Sequence, residues 1–377
     1  MEQTPYVILV ANDSTFCYHL RREILQAMVH AGCRVSVICQ VLDFRQELEA
    51  LGCRVIPINA RRRRRNPMED GVLLWSLLRI LRREHPDVVF TNNIKPNVYA
   101  GLACRMLGIR YIPNITGLGT PLVQGGRLGK LTRWLYRIGI RGADTVLFQN
   151  EDNLDFFRRN RLLGEKSRIL LLPGSGVNLE AYPCFPYPAE GTVHFLYAAR
   201  VMREKGIDQF LAAAREITAR HPDTVFHVCG GCDDEGYQSI LADAQRQGLI
   251  RYHGLQRELL PFYRDCSCFL YPSYYPEGMS NVLLEAAACG RPVIAADCPG
   301  CREPVEDGVT GYLVPTRDTA AVIEAAERFV ALSPAQRARM GQAGREKMER
   351  EFDRQMVVAQ YLRLIGQGKS TSSGGTV

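Results

Sequence analysis

Two glutamates eight residues apart mark the stretch of this sequence best suited to chemistry. Glu277 stands between a proline and a glycine in a predicted loop, and Glu285 lies about a turn and a half into a predicted helix, Asn281–Cys289. A helical glutamate is most often solvated, and this spacing also arises by chance. Glu285, however, lies among apolar residues, where an unpaired carboxylate is costly. The pair is therefore a candidate for holding two separate groups of one ligand.

The start of the same helix can bind an anion. Ser280 is a favoured residue for capping a helix, and the first helical turn leaves backbone N–H groups unpaired and carries a partial positive charge. A glycine lets a ligand approach the backbone closely. We therefore expect a phosphate to meet the main chain of four consecutive residues, which are Gly278, Met279, Ser280 and Asn281.

A second group of cations lies earlier in the chain. Residues 198–206 read A-A-R-V-M-R-E-K-G, and they connect a predicted strand to a predicted helix. Arg200 and Lys205 thereby place two positive charges around one turn. Solvated loop cations are the alternative explanation.

The elements that must position these residues alternate between strands and helices. This alternation predicts an α/β protein with parallel, doubly wound sheets. In the first half the strands are residues 6–10, 34–39, 54–58, 88–90, 111–113 and 145–148, with helices at 16–30, 44–51, 72–83 and 98–107. In the second half the strands are residues 193–198, 224–228, 250–253, 268–271, 292–296 and 311–314, with helices at 207–220, 237–247, 261–264, 281–289, 320–332, 334–349 and 353–364.

With 377 residues and 46% apolar content, the chain can form two domains of ordinary size. A stiff, proline-rich segment at residues 182–188 predicts the boundary between them. We expect an N-terminal domain of residues 1–180 and a C-terminal domain of residues 181–352. A helix at residues 353–366 should cross back to the first domain, and residues 367–377 should form a disordered tail.

Ligands of parallel sheets bind at the carboxyl ends of the strands. In the first half this rule selects the loops at residues 12–14, 91–97 and 114–126. The candidate residues for binding a second substrate there are Asn12, Ser14, Lys95, Asn97, Thr116 and Gly117. For Lys95 and Asn97 the alternative is a helix start with an asparagine cap.

The composition bears on the compartment and on metals. No window approaches the roughly 20 apolar residues of a membrane span, and the N-terminus lacks the pattern of a signal peptide, so we expect a cytosolic protein. Most of the 13 cysteines lie in apolar runs, as reduced core cysteines do. Two C-x-x-C pairs, Cys229/Cys232 and Cys298/Cys301, have a spacing suited to zinc, but each follows a strand and is interpreted as a turn.

Positive charge is concentrated in the first half, where residues 1–180 carry a net charge of +10 and residues 181–377 one of −3. Arg61–Arg65 are five consecutive cations, and residues 127–141 predict a basic amphipathic helix. Near an anionic membrane each cation contributes on the order of 1 kcal/mol, so this half can associate with such a surface. The alternative is a core-facing helix with a basic outer face. Nucleic acid is not expected, because aromatic residues do not interleave with the basic run.

Residues 272–290 resemble the donor-site signature of retaining glycosyltransferases of family 4, which have the GT-B fold with two Rossmann-like domains facing a cleft and use nucleotide sugars. Arg200 and Lys205 match the family's G-R-x-x-x-x-K-G motif, with Ala199 in place of the usual glycine, and residues 303–314 resemble its segment after the donor helix. The resemblance implies that Arg200, Lys205 and Glu277 are catalytic, with the two cations on the donor diphosphate and Glu277 on the donor sugar.

The resemblance also implies that Glu285 binds the ribose hydroxyls, that His253, Gly254 and Leu255 line the base pocket, and that neither a metal nor a cofactor is needed. The sequence departs from the family in two loops. Asn12-Asp13-Ser14 replaces a Gly-Gly, and residues 115–119 lack a His-Gly, which leaves the acceptor-side catalytic group undefined. The resemblance implies that the donor phosphate takes the acceptor proton.

Residues 93–97 together with 114–119 resemble a branch of the family that builds bacterial capsule, exopolysaccharide or O-antigen chains on a polyprenyl diphosphate. The function implied is transfer of a hexosyl or N-acetylhexosaminyl group, with retention, from a nucleotide sugar, most simply a UDP-sugar, to a lipid-linked saccharide at the inner face of the plasma membrane. Lys95 and Asn97 would meet the lipid diphosphate. Two alternatives stay open: a nucleotide-sugar epimerase on the same fold, and a catalytically silent nucleotide-sugar-binding subunit.

Overall fold

The computed structural model describes residues 4–58, 67–123, 126–188 and 191–367. Arg61–Arg65 and the expected tail from residue 368 onward lie outside these ranges. The described residues divide into two compact units, one made of residues up to Ser175 together with those from Arg354 onward, and one made of Gly176–Asp353. The division therefore falls at Ser175/Gly176, five residues before the expected boundary.

The first unit contains a seven-stranded parallel sheet with helices on both faces. Its strand order is β3-β2-β1-β4-β5-β6-β7. The strands are β1 (Tyr6–Asp13), β2 (Arg34–Gln40), β3 (Arg54–Pro57), β4 (Val88–Asn92), β5 (Tyr111–Ile115), β6 (Thr145–Phe148) and β7 (Arg168–Leu171). The helices are α1 (Ser14–His30), α2 (Arg45–Ala50), α3 (Pro67–Glu84), α4 (Ile94–Leu107), α5 (Gly119–Val123), α6 (Gly126–Ile140) and α7 (Glu151–Arg159).

The second unit repeats this plan with six parallel strands in the order β10-β9-β8-β11-β12-β13. The strands are β8 (Val193–Ala198), β9 (Thr224–Cys229), β10 (Arg251–Tyr252), β11 (Cys268–Tyr271), β12 (Val293–Ala296) and β13 (Gly311–Val314). The helices are α8 (Ile207–Arg220), α9 (Glu235–Arg246), α10 (Leu260–Asp265), α11 (Asn281–Ala288), α12 (Thr319–Val330) and α13 (Pro334–Glu351), and a last helix, α14 (Arg354–Gly366), returns to the first unit.

Both sheets are buried on their two faces, which explains why the strands are nearly continuous apolar runs. In β1, Ile8 and Val10 enter one core and Val7 and Leu9 enter the other, as expected for alternating side chains. The expected doubly wound architecture is confirmed. Helices α5 and α7 and strand β7 were not predicted. Strand β7 is largely exposed, although Ile169, Leu170 and Leu171 are apolar.

The last helix is held against α1 by polar contacts as well as by packing. The guanidinium of Arg354 donates to the carboxylate of Glu23 at 2.8 Å, and both side chains are at most one-tenth exposed. The buried Tyr361 packs on Phe90, with ring centroids 4.9 Å apart, and its hydroxyl accepts from Asn114 Nδ2 at 2.9 Å. The expectation of a C-terminal helix that crosses back to the first domain is confirmed.

The proline-rich segment 182–188 packs within the second unit and does not link the two units. The amide of Phe185 donates to the carbonyl of Cys289 at 3.3 Å, and the hydroxyl of Tyr187 donates to the carbonyl of Ser267 at 2.9 Å. The prolines of this segment lack backbone N–H donors, but other groups of the segment still form hydrogen bonds with neighbouring elements. Among the described residues, no helix is long and apolar enough to cross a membrane.

Candidate active site

Lys205 is positioned by a short 3₁₀ turn, Arg203–Lys205, that follows β8. The carbonyl of Glu204 accepts from the amide of Tyr274 at 2.9 Å, which fixes the turn to the loop after β11. Gly206 has a φ of +78°, and a Cβ atom there would lie 2.3 Å from the carbonyl oxygen of Pro272. Only glycine permits so close an approach. The turn and the loop therefore form one rigid platform for the Lys205 side chain.

The ammonium group of Lys205 lies between the carboxylate of Glu277 and two tyrosines. Its Nζ contacts Glu277 Oε1, donates to the Tyr271 hydroxyl at 2.9 Å, and lies 4.9 Å from the centroid of the Tyr275 ring. The Lys205 and Glu277 side chains are 12% and 18% exposed. A partly desolvated cation interacts more strongly with a charged ligand than a solvated one. The structure thus brings together two residues that are 72 positions apart in the sequence.

Arg200 lies at the end of β8, and its side chain is exposed. Its Nη2 atom contacts the sulfur of Met202 at 3.2 Å. Within the described part of the chain, Arg200 pairs with no carboxylate, so its charge is available to an anionic ligand.

The loops after β8, β9 and β10 meet at Gly230. The Gly230 amide donates to the carbonyl of Gly254 at 2.7 Å, and the Val201 amide donates to the carbonyl of Gly231 at 2.9 Å. At Gly230 φ is +151°, and a Cβ atom would lie only 1.7 Å from the Ala199 oxygen. These contacts bring Gly254, a predicted base-pocket residue, to the loop that carries Arg200. Its neighbour Leu255 is 78% exposed and offers an apolar surface.

His253, the third predicted base-pocket residue, begins a chain of imidazoles across three strands. His253 Nε2 lies 3.0 Å from His227 Nδ1, and His227 Nε2 lies 2.9 Å from His194 Nδ1. Burial lowers the pKa of His227 to about 4, and burial also lowers the pKa of His194 and of His253. All three rings are therefore neutral near pH 7, so they contribute no charge to the site.

The first turn of α11 contains buried polar atoms that lack partners. The hydroxyl of Ser280 and the side-chain oxygen of Asn281 have no hydrogen-bond partner among the residues that the structure describes. The amide of Ser280, by contrast, donates to the carbonyl of Gly300 at 2.8 Å. That amide is therefore not available to a phosphate, which corrects the expectation of four open backbone donors from Gly278 to Asn281. Met279 is buried beneath this turn.

The C-x-x-C pair at Cys298 and Cys301 contacts the loop between β11 and α11. Both thiols are buried and donate to the carbonyl of Ser273, at 3.3 and 3.9 Å. At the other pair, Cys229 is buried and Cys232 Sγ donates to the carbonyl of Asp234. In the described ranges, no group of three or more His, Cys, Asp or Glu residues is arranged to hold a metal ion.

Glu285 is partly buried on α11 and bonds to a tyrosine of α10. The hydroxyl of Tyr263 donates to Glu285 Oε2 at 2.9 Å. Tyr263 is fully buried, and burial together with the Glu285 carboxylate raises its pKa well above the ordinary value, so the phenol remains a donor. The carboxylate of Glu285 is thus not unpaired among its apolar neighbours, because Tyr263 of the same protein donates a hydrogen bond to one of its oxygens.

In the first unit, Asn93 joins the three loops selected by the sequence analysis. Its side-chain oxygen accepts from the amide of Asn12 at 3.3 Å, and its Nδ2 donates to Thr116 Oγ1 at 3.4 Å. Asn93 has φ 72° and ψ 166°, a backbone conformation that residues other than glycine rarely adopt. Gly117, with φ 138°, follows Thr116 directly. Strain at a loop junction of this kind is common at ligand-binding sites.

Three predicted second-substrate residues have structural partners. Ser14 is fully buried and accepts from the Leu42 amide at 3.0 Å; Asp13, not Ser14, caps α1. Asn97 is also fully buried, accepting from Thr91 and donating to the Asn114 carbonyl, so both ends of its side chain are occupied. Lys95 pairs with Asp70 of α3 at 2.9 Å. For Ser14 and Asn97 the expectation of ligand contact is corrected, because their polar atoms are used inside the fold.

Asn93, Tyr263 and Tyr271 were not among the predicted site residues. Asn93 lies within the segment 93–97, and the preference of asparagine for positive φ is a signal that could have identified it. Tyr263 lies in the short helix α10 and Tyr271 in the apolar strand β11, and the sequence gives no sign of their long-range hydrogen bonds.

The two halves of the chain each match a family of sugar-transferring enzymes. Residues 21–174 match the family described as "Glycosyl transferase 4-like domain", and residues 192–331 match "Glycosyl transferases group 1". Two Rossmann-like domains with a C-terminal helix returning to the first define the GT-B fold class, as the sequence analysis expected. The chain is therefore a glycosyltransferase, with a glycosyltransferase 4-like first half and a group 1 glycosyltransferase second half.

The similar relatives are named glycosyltransferases, and similar solved structures share the fold. The chain is 25% identical, over 92% of its length and 94% of the relative, to the N,N'-diacetylbacillosaminyl-diphospho-undecaprenol alpha-1,3-N-acetylgalactosaminyltransferase of Campylobacter jejuni. It is 26% identical, over 77% of its length and 81% of the relative, to the capsular polysaccharide biosynthesis glycosyltransferase CapM of Staphylococcus aureus. In fold, it is similar to Anabaena HepE in complex with UDP-glucose, with a TM-score of 0.77, 16% identity and coverage of 96% and 99% of the two chains.

Proposed function

We propose that this enzyme transfers a hexosyl or N-acetylhexosaminyl group, with retention, from a UDP-sugar to a saccharide linked to a polyprenyl diphosphate. The observation that carries the proposal is the Lys205 ammonium fixed beside Glu277 within the second unit. A fixed, partly desolvated cation stabilises the charge that develops on a leaving diphosphate. A carboxylate beside it can bind sugar hydroxyls.

The other donor-site residues have complementary roles in this proposal. Arg200 supplies a second cation to the diphosphate, and the start of α11 supplies backbone amides other than that of Ser280. Glu285 accepts hydrogen bonds from the ribose hydroxyls, while His253, Gly254 and Leu255 line the pocket of the base. The donor phosphate takes the proton of the attacking acceptor hydroxyl, and no metal takes part.

The choice of substrates rests on the relatives. The name of the Campylobacter jejuni enzyme specifies an acceptor on diphospho-undecaprenol and transfer of an N-acetylgalactosaminyl group, and CapM is named for capsular polysaccharide biosynthesis. Anabaena HepE was solved with UDP and with UDP-glucose. These names support a UDP-sugar as the donor and a lipid-linked saccharide as the acceptor. In this proposal Asn12, Asn93 and Thr116, which hydrogen bonds join, lie close to the acceptor.

The nucleotide preference gives the first test. We expect UDP to bind in isothermal titration with EDTA present, and GDP and ADP to bind much more weakly. Replacing Glu285 by alanine should weaken UDP about 30-fold or more, because two hydrogen bonds to an ionised group are lost. The matched control is Glu324→Ala on α12. If UDP binds no better than the other nucleotides, or if Glu285→Ala binds it like the wild type, the donor site is misassigned.

We further propose that the outer faces of α3 and α6 bind an anionic membrane. Both helices pack against α4, and residues 88–143, which include α4 and α6 but not α3, contain no acidic residue. On α3, Met68, Val72 and Trp75 are exposed, and on α6 Leu131 and Trp134 are exposed among basic side chains. Both tryptophans of the chain are thus exposed, at 61% and 57%. Tryptophan with flanking cations is typical of a surface that lies in a membrane interface.

Membrane binding can be measured through these tryptophans, because the chain contains no others. With vesicles of phosphatidylglycerol and phosphatidylcholine, we expect a shift of tryptophan emission to shorter wavelength and co-sedimentation, both weaker at high salt. The double variant Trp75→Ala/Trp134→Ala should lose at least about tenfold in vesicle affinity. Ile240→Ala, an exposed apolar residue of the second unit, is the control. Equal binding by the double variant would contradict this proposal.

A further inference from the structure

We infer that Tyr263 is the positioning residue for Glu285, and that it sets the affinity for the ribose of the donor nucleotide without contacting that nucleotide. The inference rests on the proposed function, because it takes Glu285 to bind the ribose hydroxyls. It assigns a role to α10, a short helix whose Phe262 also packs on His253, with ring centroids 4.8 Å apart.

The hydroxyl of Tyr263 is well placed to orient the carboxylate. It donates to Glu285 Oε2 at 2.9 Å from a side chain that is fully buried. The ring is fixed by aromatic neighbours, with centroids 5.8 Å from Phe269 and 6.1 Å from Tyr182. A buried donor on a fixed ring limits the rotamers of the carboxylate that bonds to it. Glu285 is therefore oriented before a ligand arrives.

The backbone of Tyr263, like its side chain, is hydrogen-bonded to the segment that contains α11. The carbonyl of Tyr263 accepts from Arg291 Nε at 2.8 Å, and Arg291 follows α11 closely in the chain. Arg291 is itself fully buried and donates to the carbonyl of Pro186 at 2.9 Å. Tyr263 is thus tied to α11 both at Glu285, through its hydroxyl, and beyond the end of the helix, through its carbonyl. This double attachment fixes the distance between α10 and the ribose-binding carboxylate.

Orienting a ribose-binding group affects ground state and transition state alike, because the ribose is remote from the bond that breaks. Interactions of this type change KM and leave kcat nearly constant. A residue that only stabilised the fold would show no dependence on which hydroxyls the nucleotide carries.

The test compares UDP with 2′,3′-dideoxy-UDP, which lacks the ribose hydroxyls. We expect Tyr263→Phe to weaken UDP binding about tenfold, to raise KM for the donor by a similar factor and to leave kcat within about twofold. Binding of dideoxy-UDP should be the same in the variant and the wild type. In the Glu285→Ala background the added change Tyr263→Phe should have no further effect on UDP, since the two residues act as one unit.

Phenylalanine fills the volume of the tyrosine ring, and thermal denaturation checks that the Tyr263→Phe variant is folded. If that variant does not fold, Tyr263→Met, which also lacks the hydroxyl, takes its place in the test. The matched control is Tyr197→Phe, which removes a buried hydroxyl that has no partner among the described residues of the same unit. Equal weakening of UDP and dideoxy-UDP by Tyr263→Phe, or no weakening of either, would overturn the inference. If Glu285→Ala itself leaves UDP affinity unchanged, the proposed donor site fails, which is a different result.

Discussion

Replacing Lys205 by alanine should lower kcat for sugar transfer by about 10²–10³-fold, the cost of removing one preorganised group that stabilises developing charge. The effect should be in kcat more than in KM, because the charge on the diphosphate grows as the glycosidic bond breaks. The hydroxyl of Tyr271 and the ring of Tyr275 contact the ammonium and hold it in place.

Initial-rate kinetics with a UDP-sugar and a lipid-linked acceptor would measure this effect. Arg203→Ala is the matched control, because Arg203 lies on the same 3₁₀ turn and its side chain is 78% exposed. We expect that variant to keep wild-type kcat. The double variant Lys205→Met/Glu277→Gln separates the lost charge from the Glu277 carboxylate that Lys205→Ala leaves without its cation. A Lys205→Ala enzyme with normal kcat and only a raised KM would show that Lys205 binds the donor without assisting bond cleavage.

Replacing Gly230 by alanine should destabilise the second unit by at least about 3 kcal/mol. Two causes add at this position. The φ of +151° is rarely adopted by residues with a side chain, and the new Cβ atom would lie 1.7 Å from the Ala199 oxygen, so a backbone segment must move. Because Gly230 also bonds to Gly254, the movement should reach the base pocket and weaken UDP binding.

Urea denaturation can separate the two causes. Gly248 also has a positive φ, of +73°, but a Cβ atom there would meet nothing within 4 Å. Gly248→Ala should therefore cost only about 1 kcal/mol, the price of the backbone conformation alone. A loss of stability at Gly230 no larger than that at Gly248 would show that the loops after β8 and β9 adjust without strain.

The sequence by itself determined the architecture, and it located the candidate donor site. Alternating apolar strands and amphipathic helices predict two parallel, doubly wound sheets, since this pattern depends on local periodicity. The segment from Glu277 to Glu285 and the pair Arg200 and Lys205 were found because their loops join a strand to a helix, where parallel sheets bind ligands. These features are local, and local features are encoded in neighbouring residues.

Only the tertiary structure decided which polar side chains remain available. Ser14 and Asn97 were equivalent to Asn12 and Thr116 in the sequence, yet the fold buries the first two and hydrogen-bonds their side chains to neighbouring residues. The contact between Lys205 and Glu277 and that between Tyr263 and Glu285 likewise join different elements. Spacing along a chain reports which face of its own element a residue occupies, but burial and hydrogen bonding depend on what packs against that face.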